Sequence, residues 1–385
     1  MHHNRTVRNK GIRDNAAFFS FMYFSISNIS RMLMHIGIPR ELPYIIYIFL
    51  FVKYVIESNK KIKAWDLVIW TLLCLGPLFG IIEYHAYIDS TSLYSIVLQY
   101  LPAYYFFRTC DIGSMTKGIK WSAYYSGIYI LFYYIIFIRG TNGYDLSYGY
   151  WAAFPLCILF FFLIKGEIKT LFLIIPLFIT MLTSGSRGAL GVSVACWLYY
   201  LIIPKKLSFK YIVRTALLLI PVLVLYLNLD SILINISRVF GMSRNITKIL
   251  NQGFFYSKTR EQLYQICKQY IEQNPLGYGA LATRKLLTGY PYPHSLYYEL
   301  QLDYGKYLGC IATFVICICT IKLAVVSKKI KDYSCICGYI CIVGVLALFV
   351  SSSLYYEYKV QAVFALLMNI KEHRMLIEEE LQNGK

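Results

Sequence analysis

Three polar side chains lie beside apolar stretches of the sequence, where a cation or a base could act on a phosphorylated substrate. Arg187 lies within SGSRGALG, Arg260 opens the segment REQLYQICKQYIE, and His294 follows two prolines in YPYPHSLYYE. A guanidinium binds phosphate oxygens bidentately and stays charged, and an imidazole can exchange a proton near neutral pH. These residue types predict a site that binds a phosphate and moves a proton.

Each of these residues has a competing interpretation. Glu299 follows His294 on the same segment and is a second candidate for the base. Arg260 lies in the first turn of a predicted helix, over 259–272, and its position is equally compatible with an interfacial arginine bound to a lipid phosphate. Arg187 lies among small residues at the start of a span, where a charge is costly unless it is paired or hydrated. Arg187 is therefore a functional candidate, and the alternative of a snorkelling anchor is weaker because an anchor does not require neighbouring glycines and serines. His294 could alternatively be a polar anchor at the membrane interface.

The composition indicates a membrane protein. Hydrophobic residues make up 58% of the 385 residues and charged residues 15%, and the mean hydropathy is +0.52. A soluble domain has about 45–50% apolar and about 25% charged residues. Apolar segments of membrane-spanning length recur along the chain. The sequence thus predicts an all-α fold, a polytopic membrane bundle of helices.

Twelve membrane spans are expected. The first is interrupted by Asn28 and Arg31, so it could instead lie on the membrane surface. The predicted spans are 16–36, 41–57, 64–82, 90–107, 119–138, 147–164, 168–183, 187–203, 211–229, 303–326, 335–352 and 356–371.

The basic residues predict the orientation of this bundle. The formal net charge is +18, and with a cytoplasmic N-terminus most Lys and Arg residues lie in cytoplasmic loops, as the positive-inside rule requires. Both termini are then cytoplasmic. Three parts are expected: an N-terminal bundle of about nine spans (1–229), a long extracytoplasmic loop with short helices and catalytic elements (230–302), and C-terminal spans with a cytoplasmic tail (303–385). The clustering of the charge in short loops argues against nucleic-acid binding.

Both arginines and His294 are thus expected at the outer membrane interface. Aromatic side chains are abundant and suit the apolar faces of sugar rings. The combination fits a lipid-linked pyrophosphate as substrate, with the arginines neutralising charge on the leaving diphosphate. His294 or Glu299 would orient or deprotonate an acceptor hydroxyl. No acidic pair with a metal-binding pattern is evident in the outer loops, so we expect a reaction without metal or cofactor.

The chain resembles the bacterial O-antigen ligase and O-antigen polymerase superfamily. The matching motifs are SGSRGALG at 184–191, an arginine-led helix running into NPLGYG at 259–279, and HSLYYELQLDYGKYLG at 294–309. Their order around a long loop between late spans also matches. The family usually has Asn after the histidine, where this chain has Ser295.

The resemblance implies an inner-membrane glycosyltransferase that acts by inversion on an undecaprenyl-diphosphate-linked oligosaccharide. It implies that Arg187 and Arg260 bind the diphosphate and that His294 acts at the acceptor. The acceptor can be another repeat unit of O-antigen, capsule or exopolysaccharide, as in polymerases, or lipid A–core, as in ligases. We slightly favour the polymerase. Membrane lipids, a flippase and a chain-length regulator are further expected partners.

Other classes of membrane protein remain as alternatives. A flippase of lipid-linked sugars would also use many spans and basic residues, but transporters usually show repeat symmetry and helices broken near the midplane. Neither feature is evident. A membrane acyltransferase would leave the two phosphate-type arginines unexplained, and a pore-lining pattern for a channel is lacking.

Overall fold

The computed structural model describes most of the chain, and the regular structure in that part is entirely helical. The predicted all-α class is therefore confirmed. The described residues are 2–39, 42–58, 63–69, 71, 100–138, 146–184, 186–202, 227–240, 244–252, 258–290, 292–328, 333–356 and 358–383. The helices that we label are α1 His2–His35, α2 Leu42–Ser58, α3 Leu101–Thr109, α4 Ile112–Tyr133, α5 Leu146–Ile164, α6 Leu171–Ser184, α7 Arg187–Ile202, α8 Leu229–Phe240, α9 Arg244–Gln252, α10 Lys258–Gln273, α11 Thr283–Leu286, α12 Leu296–Tyr304, α13 Lys306–Ser327, α14 Tyr333–Val350 and α15 Lys359–Asn383.

Three of these helices are long and apolar enough to cross a membrane: α4 with its continuation to Ile138, α13 and α14. Two shorter apolar helices, Tyr148–Ile164 and Ile168–Thr183, accompany them. The predicted number of twelve spans is not confirmed. The predicted spans at 64–82, 90–107 and 211–229 lie wholly or partly outside the described residues.

The first helix packs along α4 inside the bundle. The Ser25 hydroxyl bonds that of Ser122 at 2.7 Å, and the Asn28 amide donates to the Ser126 hydroxyl at 2.9 Å. The two helices approach closely at Gly118, because a Cβ there would lie 2.3 Å from a backbone oxygen of α1. Ser25 and Asn28 of α1 thus have polar partners on α4, which offset the cost of burying them.

Ion pairs gather at one end of the bundle. Arg108, near the end of α3, binds Asp66 at 2.8 Å and also pairs with Glu372 of α15. At the other end of α3, the Tyr100 hydroxyl donates to the backbone oxygen of Leu354. Leu354 therefore lies at the end of the bundle opposite the ion pairs.

The predicted helix at 259–272 is confirmed as α10, Lys258–Gln273. Its apolar side, formed by Leu263, Cys267 and Ile271, packs against Leu287 and Leu302 to form a small core of the long loop. This core joins the described residues from α10 to α12, and it anchors α10 to the helix that follows His294.

The NPLGYG turn lies with its backbone against the end of α12. Its proline and glycines are compatible with such a close approach, but from the sequence alone an ordinary loop turn is favoured. The amide of Tyr278 donates to the Leu302 oxygen at 2.7 Å, and that of Gly279 donates to the Asp303 oxygen at 2.9 Å. Gly277 has φ +90°, and a Cβ there would lie 2.4 Å from the nitrogen of Gly305. At this distance, neither Gly277 nor Gly305 could carry a side chain without meeting the backbone of the other segment.

The connection from His294 to the next span differs from the prediction. A helix was expected to start near His294 or Ser295 and to place His294 at the outer end of a spanning helix. The helix α12 begins at Leu296, and the chain breaks at Gly305, which has φ +88°, before the span starts at Lys306. The left-handed backbone of Gly305 interrupts helical bonding, so His294 precedes a separate short helix.

We expect Gly277→Ala to destabilise the protein more than Gly289→Ala. Both glycines have positive φ, at +90° and +82°, so each substitution introduces backbone strain. Only the Cβ at 277 meets other atoms, because nothing lies within 4 Å of a Cβ at 289. Overpacking costs about 1–3 kcal/mol. The measurement is the apparent thermal midpoint of both variants in detergent, and equal midpoints would contradict the close backbone contact.

Candidate functional site

Arg187 is the first residue of α7 and is half-buried. The preceding Ser186 hydroxyl accepts the amide of Ala189 at 3.1 Å, as an N-cap side chain does. A Cβ on Gly188 would lie 2.7 Å from the hydroxyl of Tyr150 on α5. The small residues around Arg187 therefore let a tyrosine approach the backbone beside the guanidinium.

Neighbouring helix ends hold this turn in place. The Tyr148 hydroxyl donates to Thr180 at 2.7 Å, and the Tyr134 hydroxyl lies 3.4 Å from that of Thr183. These contacts connect the ends of α4, α5 and α6 just before α7 begins at Arg187.

Arg260 and His294 come together at the first turns of α10. Tyr264, one helical turn after Arg260, donates its hydroxyl to the backbone oxygen of His294 at 3.4 Å. The charge of Arg260 is close enough to act on the imidazole, where it contributes to lowering the pKa of His294. Two of the predicted site residues, from separate motifs, are thus neighbours.

His294 adopts a left-handed backbone conformation with φ +56°, which is uncommon for a residue other than glycine. Its Nδ1 lies 3.4 Å from the backbone oxygen of Ser351, and its ring packs 4.4 Å from that of Tyr292. The Tyr292 hydroxyl donates to the same oxygen at 3.1 Å. The Ser351 carbonyl oxygen thus contacts the side chains of both Tyr292 and His294.

Burial lowers the pKa of His294 below its usual 6.5, and the charge of Arg260 adds to this effect. The hydrogen bond to Ser351 acts in the opposite direction without reversing it. The imidazole is therefore neutral at neutral pH and able to accept a proton.

Glu299 lies on α12 with only 1% of its surface exposed. Its carboxylate accepts the Ser353 hydroxyl and, at 2.9 Å, the amide of Leu354. Burial raises the pKa of Glu299 to about 7, while both hydrogen bonds and the charge of Arg284 oppose that rise. Glu299 thus binds Ser353 and Leu354, which follow closely after Ser351, the residue whose carbonyl contacts His294.

Arg187 lies at the same end of the bundle as His294. Gly338 of α14 packs against Tyr200 of α7, and the last turn of α14 also contacts α7. Val350 of α14 and Gly188 of α7 each lie twelve residues beyond that contact along their helices. The chain then enters Ser351, whose carbonyl contacts His294.

Sequence reasoning missed several residues of this region. The connection SSSLY at 351–355 contacts both His294 and α12, whereas the predicted span 335–352 includes its first two residues and the sequence assigns no role to the rest. Its three consecutive serines between apolar stretches were an available signal. Tyr150 was also missed, and only the contact with Gly188 identifies it. Among the described residues, no three His, Cys, Asp or Glu side chains are placed to share one metal ion.

Residues 170–309 match the family model described as O-antigen ligase. This segment contains all four predicted site residues, Arg187, Arg260, His294 and Glu299. A search of curated proteins finds no match to the chain. The chain is therefore similar over 170–309 to the O-antigen ligase family, and the resemblance to the O-antigen ligase and polymerase superfamily is confirmed.

Proposed function

We propose that this membrane protein is a glycosyltransferase of surface polysaccharide assembly that polymerises undecaprenyl-diphosphate-linked repeat units. The observation that carries the proposal is that His294, half-buried and with a lowered pKa, contacts Tyr264 of the helix that Arg260 opens, inside the segment that matches the family. A cation for the leaving diphosphate and a base for the acceptor are what such a transfer requires.

The arginines act on the donor. Arg187 and Arg260 bind the diphosphate, and their fixed positive charge favours the transition state, in which negative charge develops on the leaving group. A guanidinium suits this role because two of its N–H groups can bind oxygens of one phosphate. Both are half-buried at helix N-terminal turns, where the backbone amides also favour an anion.

His294 acts on the acceptor. The acceptor hydroxyl attacks the anomeric carbon, forming the new glycosidic bond on the face opposite the diphosphate. The bond from that carbon to the phosphate oxygen breaks, and undecaprenyl diphosphate leaves with the electron pair. The hydroxyl proton passes to Nε2 of His294, because Nδ1 faces the Ser351 carbonyl. The single displacement inverts the anomeric configuration without a metal or cofactor in the proposed scheme.

The acceptor distinguishes the candidate functions. A polymerase uses another lipid-linked repeat unit, whereas an O-antigen ligase uses lipid A–core, and the donor chemistry is the same. We place the active site on the extracytoplasmic face of the inner membrane, since the opposite end of the bundle carries the basic residues Lys63 and Arg108. A flippase and a chain-length regulator are proposed as partners.

Reconstitution tests the proposal. Purified protein in vesicles is supplied with a lipid-linked repeat unit, with and without lipid A–core. Lengthening of the repeat-unit lipid alone is expected and identifies a polymerase. Transfer only to core would identify a ligase, and transbilayer movement without new glycosidic bonds would identify a flippase.

We expect Arg187→Ala, Arg260→Ala and His294→Ala each to abolish or strongly reduce glycan assembly at unchanged protein abundance. Each removes a group that contacts the reacting atoms in the proposed mechanism. The matched controls are Arg238→Ala, an exposed arginine of the same loop, and His35→Ala, an exposed histidine of α1. The measurement is polysaccharide on the cell surface together with immunoblotting. Full assembly in all three site variants would exclude the mechanism.

Arg260→Lys should remain impaired. A lysine restores the positive charge but not the planar fork that binds two phosphate oxygens. The measurement is the rate of transfer in vesicles beside wild type and Arg260→Ala. Recovery to the wild-type rate would show that charge alone suffices and would contradict bidentate binding.

Transfer should fall at acid pH with a midpoint below 6.5. The reason is that the pKa of His294 is lowered from 6.5, and protonation removes its ability to accept a proton. The neutral imidazole persists above that pKa, so no loss from this group occurs near pH 7. The measurement is the rate against pH in vesicles. A midpoint near 7 would instead indicate Glu299, whose pKa is raised to about 7.

A further inference from the structure

The connection between α14 and α15, residues 351–355, lies beyond the segment that matches the family. It nevertheless forms the surface against which His294 rests. The Ser351 oxygen lies 3.4 Å from Nδ1 of His294 and accepts the Tyr292 hydroxyl at 3.1 Å. Whatever holds this connection therefore also determines how the imidazole is oriented.

Two buried carboxylates hold the connection. Glu299 and Asp303 lie one helical turn apart on α12 and so project from the same face. Glu299 accepts the Ser353 hydroxyl and the Leu354 amide, and Asp303 accepts the Tyr355 hydroxyl at 2.6 Å. Three consecutive residues of the connection are thus bound to one helix.

The contact with Ser351 selects one tautomer of His294. A backbone carbonyl can only accept, so Nδ1 must carry the hydrogen in this contact. In the neutral imidazole, Nε2 is then the nitrogen with a free electron pair. The Tyr292 hydroxyl also binds the Ser351 oxygen and helps to fix its position. A fixed acceptor limits rotation of the His294 ring, because rotation would lengthen the contact with Nδ1.

We propose that Glu299 is a positioning residue for His294, acting with Asp303 through the 351–355 connection. The proposal rests on the proposed function of His294 as the base. A direct role for Glu299 on the substrate fits the contacts less well, because the side chain is 1% exposed and both of its oxygens accept hydrogen bonds from the connection.

Two substitutions of Glu299 distinguish positioning from proton transfer. Glu299→Ala removes both acceptors and should slow transfer by roughly 10- to 100-fold, the range for a displaced functional group. Glu299→Gln keeps an oxygen for the Leu354 amide and an N–H for the Ser353 hydroxyl, so it should recover most of that loss. An amide cannot accept the proton, so a Glu299→Gln enzyme as slow as Glu299→Ala would overturn the proposal.

A double-mutant cycle tests whether the effect passes through His294. If Glu299 acts only by positioning the imidazole, Glu299→Ala causes no further loss in the His294→Ala background. A further loss there of the size seen in the wild-type background would overturn the proposal. The cycle is measured as residual transfer in vesicles.

A readout independent of glycan transfer uses the reactivity of the imidazole. Wild type and variants are treated with diethyl pyrocarbonate at one pH, and acylation of the His294 peptide is followed by mass spectrometry. We expect several-fold faster acylation in Glu299→Ala and near wild-type rates in Glu299→Gln. Unchanged acylation in Glu299→Ala would overturn positioning, whether or not the protein transfers glycans.

Ser353→Ala provides a second route if Glu299→Ala does not fold. It removes the hydroxyl that binds Glu299 and keeps the carboxylate in place. Acylation of His294 should accelerate in Ser353→Ala and not in the matched control Ser334→Ala, at the other end of α14. Equal rates in the two serine variants would overturn the proposal.

Discussion

The close backbone contact between the NPLGYG turn and the end of α12 is the constraint on which the candidate site depends. Neither Gly277 nor Gly305 has a side chain, so the two segments bind each other directly through backbone hydrogen bonds. The turn follows α10 and the end of α12 follows His294. Arg260 and His294, more than thirty residues apart in sequence, are therefore held in one folded unit.

The cost of burying a charge explains which hydrogen-bond partners the buried polar side chains at this end of the bundle have. A buried carboxylate without partners would be strongly unfavourable, and Glu299 accordingly accepts two hydrogen bonds from the connection. His294 is treated differently: its imidazole has one backbone partner and a neighbouring cation, and both burial and that cation favour its neutral form. The contrast agrees with the proposed roles, in which Glu299 positions the site and His294 accepts a proton.

The sequence predicted local features better than their arrangement. Helical periodicity predicted α10 to within a residue at each end. The favoured interpretation of NPLGYG was an ordinary loop turn, and the structure shows instead a close backbone contact with α12. The break at Gly305 was missed because the apolar character of 303–326 resembles one continuous span. The number of spans rests on hydropathy, and three helices of the described residues meet both length and hydropathy requirements.

In the candidate site as well, the sequence identified individual residues but not how they are arranged. Arg187, Arg260, His294 and Glu299 were identified from residue type and motif, and the contact of Tyr264 with the His294 carbonyl brings the first turns of α10 to His294. Their roles as catalytic residues stay predictions. The 351–355 connection could not be assigned to the site, because it lies more than fifty residues after His294 and only the folded chain brings Ser351 to the ring. Tyr150 was missed for the same reason.

The location of Ser351 outside residues 170–309 bears on any attempt to exchange catalytic segments between related proteins. A hybrid that received only the family-matched portion would carry the histidine without the carbonyl that orients it. The smallest graft that keeps both the pair and the contacts of Ser353, Leu354 and Tyr355 with α12 runs through Tyr355, and it brings α13 and α14 with it.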